Sequence, residues 1–144
     1  MPRFKKTKLV KPYTNGKPTL KRLYKPGTYI IYKDSGTDEK KVPLYVGFSA
    51  TNVYKTLYRH FQSWNDRSQV RTTYSKMGPY KVRVILCGPK TAANLERVLL
   101  SKLQPKDNPR KLALILTKAD LKIIQELNAT SVDFKLTEIT EAPF

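Results

Sequence analysis

Two runs of apolar and aromatic residues near the start of the chain predict a pair of β-strands. Residues 27–33 (Gly-Thr-Tyr-Ile-Ile-Tyr-Lys) and residues 42–48 are rich in β-branched and aromatic side chains. Between them, residues 34–41 form a polar segment that contains Gly36, which is typical of a long hairpin loop. Apolar positions alternate again in residues 81–87, and this pattern predicts a third strand.

Two further segments have the spacing of amphipathic helices. Residues 51–64 predict a surface helix, whose inward positions are Val53, Leu57, Phe61 and Trp64. Residues 89–103 predict a second helix that begins at a proline and stops before Pro105. Its buried stripe consists of Ala92, Leu95, Leu99 and Leu103.

The C-terminal part of the chain predicts one more helix. Thr117 and Asp120 are spaced as a capping pair, which predicts a helix from there to about residue 128. Its inward positions are Leu121, Ile124 and Leu127. Residues 132–139 alternate loosely and predict an edge strand.

The order of these elements predicts one small α/β domain of the α+β kind. Its central sheet is expected to be three-stranded and mostly antiparallel, with helices packed on it. Residues 1–25 predict an extended or partly ordered arm, with a turn signal at Asn15-Gly16. Residues 112–144 are expected to pack on the same domain.

Charge is the strongest feature of the composition. The 144 residues carry a formal net charge of +17, which indicates a polyanionic partner, with nucleic acid as the first candidate. Residues 1–33 contain ten Lys or Arg and no acid, whereas residues 112–144 contain five acids and three lysines. A ribosomal or membrane-surface protein is the alternative, but no long amphipathic basic helix favours a membrane.

Other classes of protein are disfavoured by what the sequence lacks. No apolar stretch approaches the roughly 18 residues of a membrane span, and the basic, polar start does not resemble a signal peptide. A cytoplasmic, intracellular protein is therefore expected. Because Cys87 is the only cysteine and His60 the only histidine, a zinc site is not expected, and any metal must be held by oxygen.

Three side chains on the predicted sheet and second helix are candidates for chemistry. Tyr29 and Tyr45 lie on paired strands, where side chains on one face reach a shared ligand; the alternative is two ordinary strand tyrosines. Glu96 is the only acid between Asp66 and Asp107 and lies beside the apolar stripe of its helix. Magnesium is commonly coordinated by one carboxylate, several waters and a phosphate oxygen of the substrate. The alternative for Glu96 is a salt bridge to a neighbouring Arg or Lys.

A cationic face is predicted on the first helix. Thr56, Arg59 and His60 share this face, and Lys55 lies four residues before Arg59. Arg59 is placed to hold a phosphate oxygen and His60 to relay a proton, whereas a solvated face that only holds a nucleic acid backbone is the alternative. Asn108 lies between two prolines, and taken by itself this position predicts a turn residue.

Taken together, these residues resemble the GIY-YIG nuclease superfamily over residues 26–109. Gly27-Thr28-Tyr29 resembles the GIY half of the motif, and Leu44-Tyr45-Val46-Gly47 resembles the YIG half. The stretch at residues 94–108, with Leu95-Glu96 and Pro105-Lys106-Asp107-Asn108, resembles the family's metal-glutamate helix and the asparagine loop after it. Each motif is short, but five in the right order with fitting intervals are fairly specific.

The resemblance implies a nuclease domain at residues 26–111 and a role for each candidate. Tyr45 would be the general base that activates water, with Tyr29 as its hydrogen-bonding neighbour. Glu96 would bind magnesium (Mg²⁺) or Mn²⁺, and Asn108 would order the site. Where many members have an arginine, four residues before the histidine, this chain has Thr56.

The expected activity is therefore metal-dependent endonuclease cleavage of DNA by water. Arg59 or Lys55 would have to supply the charge of the arginine that Thr56 replaces. The alternative is a non-catalytic basic nucleic-acid-binding protein on the same fold. A third hypothesis, a basic RNA-binding or ribosome-associated protein, is supported by the composition alone. No separate module for reading DNA sequence is visible, since the segments outside residues 26–111 are short.

Overall fold

The computed structural model describes residues 5–6, 9–20, 24–34, 42–62, 74–76, 78–108 and 117–130. The elements follow in the order β1 (Lys5–Lys6), β2 (Tyr13–Thr14), β3 (Lys17–Pro18), β4 (Gly27–Lys33), β5 (Val42–Ser49), α1 (Val53–Tyr58), β6 (Phe61–Gln62), β7 (Tyr74–Ser75), β8 (Tyr80–Leu86), α2 (Pro89–Leu103) and α3 (Lys118–Thr130). The predicted edge strand at residues 132–139 lies outside the described residues, as does the predicted loop at residues 34–41 except for Asp34.

The central sheet is antiparallel, in the strand order β1-β8-β4-β5. Three long strands form its body, and the short β1 pairs with the outer side of β8. The predicted fold class is confirmed, since the chain combines a three-stranded antiparallel sheet with a few helices. The strand that carries Gly27-Thr28-Tyr29 lies in the middle of the sheet and is covered on both faces.

Two hydrophobic cores lie on the two faces of the sheet. Alternate residues of β4 contribute to different cores, because successive side chains of a strand point to opposite faces. Ile30 and Tyr32 join the core beneath α2, which also includes Ile123 of α3. Tyr29 and Ile31 join the core beneath α1. The strand period therefore places Tyr29 on the face of the sheet that α1 covers.

The first helix is shorter than predicted, which corrects the expected helix at residues 51–64. Helix α1 ends at Tyr58, and the His60 backbone N–H donates to the carbonyl of Leu57 in a tighter turn. The His60 carbonyl accepts a 2.6 Å hydrogen bond from the Tyr74 N–H, which leads into the parallel pair of β6 and β7. Because this partner comes from a distant segment, the local helical spacing did not reveal it. Trp64 lies outside the described residues.

Helix α2 agrees with its prediction, whereas one position of α3 does not. The four predicted stripe residues of α2 are buried, and a left-handed Gln104 ends the helix before Pro105. The predicted capping pair of α3 is present, since Thr117 Oγ1 accepts from the Asp120 N–H and Asp120 Oδ2 accepts from the Thr117 N–H. Leu121 is 51 % exposed, however, and Ile123 is the buried residue.

The N-terminal arm is more ordered than an extended segment. Its strands β2 and β3 form a hairpin whose turn, Asn15-Gly16, has the positive φ angles of 53° and 77° that a two-residue hairpin loop requires. The Tyr58 hydroxyl accepts from the N–H of Leu20 at 3.1 Å and donates to the carbonyl of Pro12 at 2.9 Å. One buried side chain of α1 thus holds both ends of the hairpin.

Candidate active site

The two candidate tyrosines lie side by side on adjacent strands. In the register of β4 and β5, Tyr29 lies opposite Gly47 and Ile31 lies opposite Tyr45, so both tyrosines are on the α1 face. Their rings are stacked, with 6.2 Å between centroids and 18° between planes. Gly47 allows this packing, because a Cβ atom there would collide with the Tyr29 hydroxyl and ring. The glycine of the second motif therefore leaves room for the tyrosine of the first.

His60 lies next to both tyrosines. Its Nε2 atom is 2.7 Å from the Tyr29 hydroxyl, and its ring centroid is 4.4 Å from that of Tyr45. His60 and Tyr29 are 3 % and 2 % exposed, so their hydrogen bond is shielded from water. The early end of α1 is what places His60 here, since the turn at residues 59–60 directs its side chain into the core.

A β-bulge precedes Tyr45 and sets its direction. Ile31 pairs with Tyr45 and Tyr32 pairs with Pro43, which leaves Leu44 as the extra residue of β5. Leu44 and Tyr45 consequently both contact the core beneath α1, although they are consecutive in the chain. Tyr45 remains half-buried, whereas Tyr29 is fully buried. Of the two hydroxyl-bearing rings, Tyr45 is the one that solvent or substrate can reach.

Glu96 lies on helix α2, which packs on the central sheet. The Thr28 hydroxyl donates a 2.8 Å hydrogen bond to the carbonyl of Ala92, which fixes the helix against β4. Glu96 lies four residues further on the same helix face. Burial raises the pKa of the Glu96 carboxyl from its ordinary 4.5 to about 7. This half-buried carboxyl is therefore partly protonated at neutral pH and gains from any cation brought to it.

The tyrosines respond to one another and to Glu96. Burial, followed by the charges of Tyr45 and Glu96, raises the pKa of Tyr29 far above its usual 10. Burial and then Glu96 also raise the pKa of Tyr45. Tyr29 therefore keeps its proton and is suited to donate it to His60 Nε2. The charge of Glu96 thus contributes to the raised pKa of both tyrosines.

Asn108 binds the backbone of the residue after Tyr45. Its side-chain Oδ1 accepts from the Val46 N–H, and its Nδ2 donates to the Val46 carbonyl, both at 2.9 Å. The N–H groups of Lys106 and Asp107 donate to the carbonyls of Pro43 and Leu44. Residues 106–108 thus form hydrogen bonds with the backbone groups on the outer edge of β5, along the bulge. Asn108 is more than a local turn residue, because its amide fixes the strand that carries Tyr45.

Two residues of the site were not identified from the sequence. The Tyr74 hydroxyl donates a 2.8 Å hydrogen bond to Asp107 Oδ2, and its ring centroid is 6.5 Å from that of His60. Burial, followed by the hydrogen bond to Asp107, raises the pKa of Tyr74. Tyr74 lies in a segment without periodicity, so no pattern indicated it. Asp107 could have been indicated only by its position next to Asn108 in the sequence.

The expected cationic face of the first helix is divided by the turn at residues 59–60. Lys55 and Arg59 are exposed, whereas His60 is buried, so the histidine does not share their face. This corrects the expectation that Thr56, Arg59 and His60 lie together. The hydroxyl of Thr56 donates to the carbonyl of Asn52 at 3.2 Å, within its own helix. Thr56 is uncharged, and its hydroxyl is already bonded within its helix, so it does not replace the arginine that the resemblance would place there.

The donor set suits a hard cation better than zinc. In the part of the chain that the structure describes, no group of three or more His, Cys, Asp or Glu side chains is arranged to hold a metal ion. A magnesium site needs less from the protein, because one carboxylate is commonly completed by water and by phosphate oxygens of the substrate. Glu96 fits this role, since its burial disfavours its charge and a bound cation would restore it.

Comparison with models of protein families, with curated proteins and with solved structures gave no match for this chain. Among the described residues, no helix is long and apolar enough to cross a membrane. The function is therefore inferred from the geometry of the site and from the resemblance of its motifs.

Proposed function

We propose that this protein is a metal-dependent endonuclease that hydrolyses phosphodiester bonds in DNA. The observation that carries the proposal is the contact of Tyr29, Tyr45 and His60, from three separate parts of the chain. The charge of Glu96, on α2, adds to the raised pKa of both tyrosines. Their order along the chain matches the order of the GIY-YIG motifs. The net charge of +17 supplies a reason for nucleic acid to approach this site.

The two tyrosines have different tasks in this mechanism. Tyr45 is half-buried and is the group that, as the phenolate after releasing its proton to solvent, would accept the proton of the attacking water. Tyr29 is buried and bonded to His60, so it orients the histidine ring beside Tyr45. Because the pKa of Tyr45 is raised, the phenolate needs a neighbouring cation during the reaction.

Glu96 is the group that would hold the cation. With a divalent ion held there, Glu96 would place positive charge beside the phosphate, where negative charge develops in the transition state. The pKa of the Glu96 carboxyl, about 7, means that the ionised, metal-binding form becomes dominant as the pH rises above neutral. Cleavage is therefore expected to increase between pH 6 and pH 8, with added metal shifting the midpoint to lower pH.

The exposed Lys55 and Arg59 on α1 are proposed to contact the DNA backbone. Each phosphate contact releases counterions, so the logarithm of the binding constant falls linearly with the logarithm of the salt concentration, by about 0.9 for each contact with duplex DNA. Lys55 and Arg59 lie four residues apart on the exposed side of this segment. The Arg59 guanidinium is suited to hold a phosphate oxygen in two hydrogen bonds.

A non-catalytic nucleic-acid-binding protein is the second candidate, and one observation favours it. Thr56 occupies the position where the resemblance calls for an arginine, and its hydroxyl is used within its own helix. In this case Glu96 repels the backbone, so its removal would leave binding unchanged or tighten it. The nuclease proposal instead requires that removing Glu96 abolishes cleavage.

The deciding experiment is a cleavage time course on supercoiled plasmid and on single-stranded and branched oligonucleotides, with Mg²⁺ or Mn²⁺. The wild-type protein is compared with Glu96→Gln and Tyr45→Phe. The Tyr45→Phe rate is expected to fall about 10²–10⁴-fold, the usual contribution of a positioned general base. Tyr24→Phe and Glu126→Gln are the matched controls, because they make the same chemical changes at an 87 % exposed tyrosine and on α3.

The outcomes separate the two candidates. If the wild type cuts, the two site variants do not, and all bind DNA equally, the nuclease proposal stands. If the wild type binds every substrate in a salt-dependent way and cuts none with either metal, the protein is a binding protein. Cutting that survives in Glu96→Gln contradicts the role of Glu96.

A further inference from the structure

A second concave site lies between the N-terminal arm and the start of β8; we name it the arm cleft. Its volume is about 400 Å³, within the range of roughly 300–1,000 Å³ found for ligand pockets. Its lining includes Lys11, Tyr13, Asp34, Lys76 and Tyr80. None of these residues belongs to the tyrosine–histidine site, the name used below for the candidate active site at Tyr29, Tyr45 and His60.

The arm side of the cleft is fixed in place. Val10 exchanges two backbone hydrogen bonds with Val82, of 3.1 and 2.7 Å, and the carbonyl of Pro12 accepts from the Tyr58 hydroxyl. Lys11 lies between these two anchored residues. The Tyr13 ring packs edge-on against Tyr58, at 5.4 Å between centroids. A ligand that binds here therefore meets a preorganised wall, which lowers the entropy cost of binding.

The cleft presents positive charge beside aromatic surface. Lys76 Nζ lies 5.3 Å from the centroid of the Tyr13 ring, a distance typical of a cation–π contact. Asp34 is the one acid among the lining residues named above, and its carboxylate is 3.8 Å from Lys81 Nζ. Because Asp34 already has a cationic neighbour, the charges of Lys11 and Lys76 dominate the cleft. This combination is typical of grooves that bind single-stranded nucleic acid.

A row of aromatic rings connects the cleft with the candidate active site. Tyr80, in the cleft, is 5.0 Å from Tyr74 between ring centroids, and Tyr74 is 6.5 Å from His60. Because Tyr74 and His60 are only 7 % and 3 % exposed, this row lies inside the protein; it fixes the spacing of the two sites, and a bound strand would cross the surface between them. In a duplex, however, the bases remain stacked inside the helix and do not enter a recess unless they are flipped out.

We propose that the arm cleft binds one unpaired nucleotide of the substrate strand. The phosphate lies between Lys11 and Lys76, and the sugar and base lie against Tyr13 and Tyr80. The path of the strand depends on the proposed function, but binding in the cleft does not require that the strand is cut. The proposal makes single-stranded, branched or flipped DNA the preferred substrate over perfect duplex.

The test measures binding by fluorescence anisotropy, with a single-stranded oligonucleotide and the duplex of the same sequence. Both are titrated at several salt concentrations in the Glu96→Gln background, so that no cutting occurs. The double variant Lys11→Gln, Lys76→Gln is compared with Lys118→Gln, Lys122→Gln, which removes the same charge from exposed positions of α3. Thermal unfolding checks that both double variants remain folded.

The cleft variant is expected to bind the single strand at least about tenfold more weakly, the effect of losing a charged hydrogen bond. Its salt slope should decrease by about 0.7, the share of one phosphate on a single strand. Duplex binding should change no more than in the α3 control. An equal loss on single strand and duplex, or a cleft variant that behaves as the α3 control, overturns the proposal.

These binding data, together with the cleavage time course of the wild-type protein, distinguish the arm cleft from the nuclease function. If wild-type protein cuts no substrate but the cleft variant still loses its preference for the single strand, the arm cleft stands and the enzymatic function fails. If wild-type protein cuts DNA and the cleft variant binds both forms as the α3 control does, the function stands and the arm cleft fails.

Discussion

Replacing Glu96 with Gln should stabilise the fold at alkaline pH while it removes the proposed activity. Burial raises the pKa of the Glu96 carboxyl from 4.5 to about 7 in the folded protein. The folded state therefore binds this proton more tightly than the unfolded state. Its contribution to stability is fully present below about pH 4.5 and is lost as the pH rises through about 7.

The size of the effect follows from the pKa difference. One pKa unit corresponds to about 1.4 kcal/mol, so the difference sets an upper bound of about 3 kcal/mol. Because the side chain is partly exposed, solvent screening reduces this to about 1–2 kcal/mol. Glu96→Gln should therefore leave the free energy of unfolding unchanged at pH 4.5 and raise it by about 1–2 kcal/mol at pH 8.

Urea denaturation at pH 4.5, 6, 7 and 8 measures this difference. Asp120→Asn is a control of opposite sign. Burial raises the pKa of Asp120, but hydrogen bonds from Thr117 and Arg97 outweigh burial and hold the pKa below its usual value. The stability that Asp120 contributes is thus present at neutral pH and lost in acid. Asp120→Asn should destabilise the protein at pH 7 and less at pH 3.

A result of the opposite sign would refute this account of Glu96. If Glu96→Gln destabilises the protein at pH 8, the carboxylate has a cationic partner, and the salt-bridge alternative for this residue is correct. Magnesium gives a second readout, because an ion bound only by the folded state stabilises it by about 1.4 kcal/mol at ten times its dissociation constant. The wild type should gain this stability at pH 7.5, whereas Glu96→Gln should not.

Three further substitutions test the packing around the site. Gly47→Ala should cost about 1–3 kcal/mol, because its Cβ meets the Tyr29 hydroxyl, and the loss should be visible in the urea midpoint together with reduced cleavage. Asn108→Asp keeps the acceptor for the Val46 N–H but loses the donor to the Val46 carbonyl; a loss of about 1–3 kcal/mol is expected in denaturation, and an unchanged midpoint would contradict the bridging role. Thr117→Ala should cost about 1 kcal/mol of thermal stability without changing cleavage, since it removes only the cap of α3.

Much of the fold was predictable because it depends on local patterns. The strands β4, β5 and β8 and the helix α2 lie within about two residues of their predicted bounds, since their apolar periods and their Gly and Pro boundaries are written in short stretches of sequence. The Asn15-Gly16 turn is present for the same reason. The charge of +17 and the order of the site motifs were also properties of the sequence alone.

The tertiary structure decided the features that depend on distant partners. His60 leaves the expected helix because its carbonyl pairs with Tyr74, and Tyr74 itself is fixed by Asp107. The bulge at Leu44, which directs Tyr45 toward the site, appears only when β5 is paired with β4. Local periodicity cannot report such contacts, because each joins residues far apart in the chain. The sequence by itself determined the elements and the chemistry available to this protein, and the long-range hydrogen bonds decided which side chains meet.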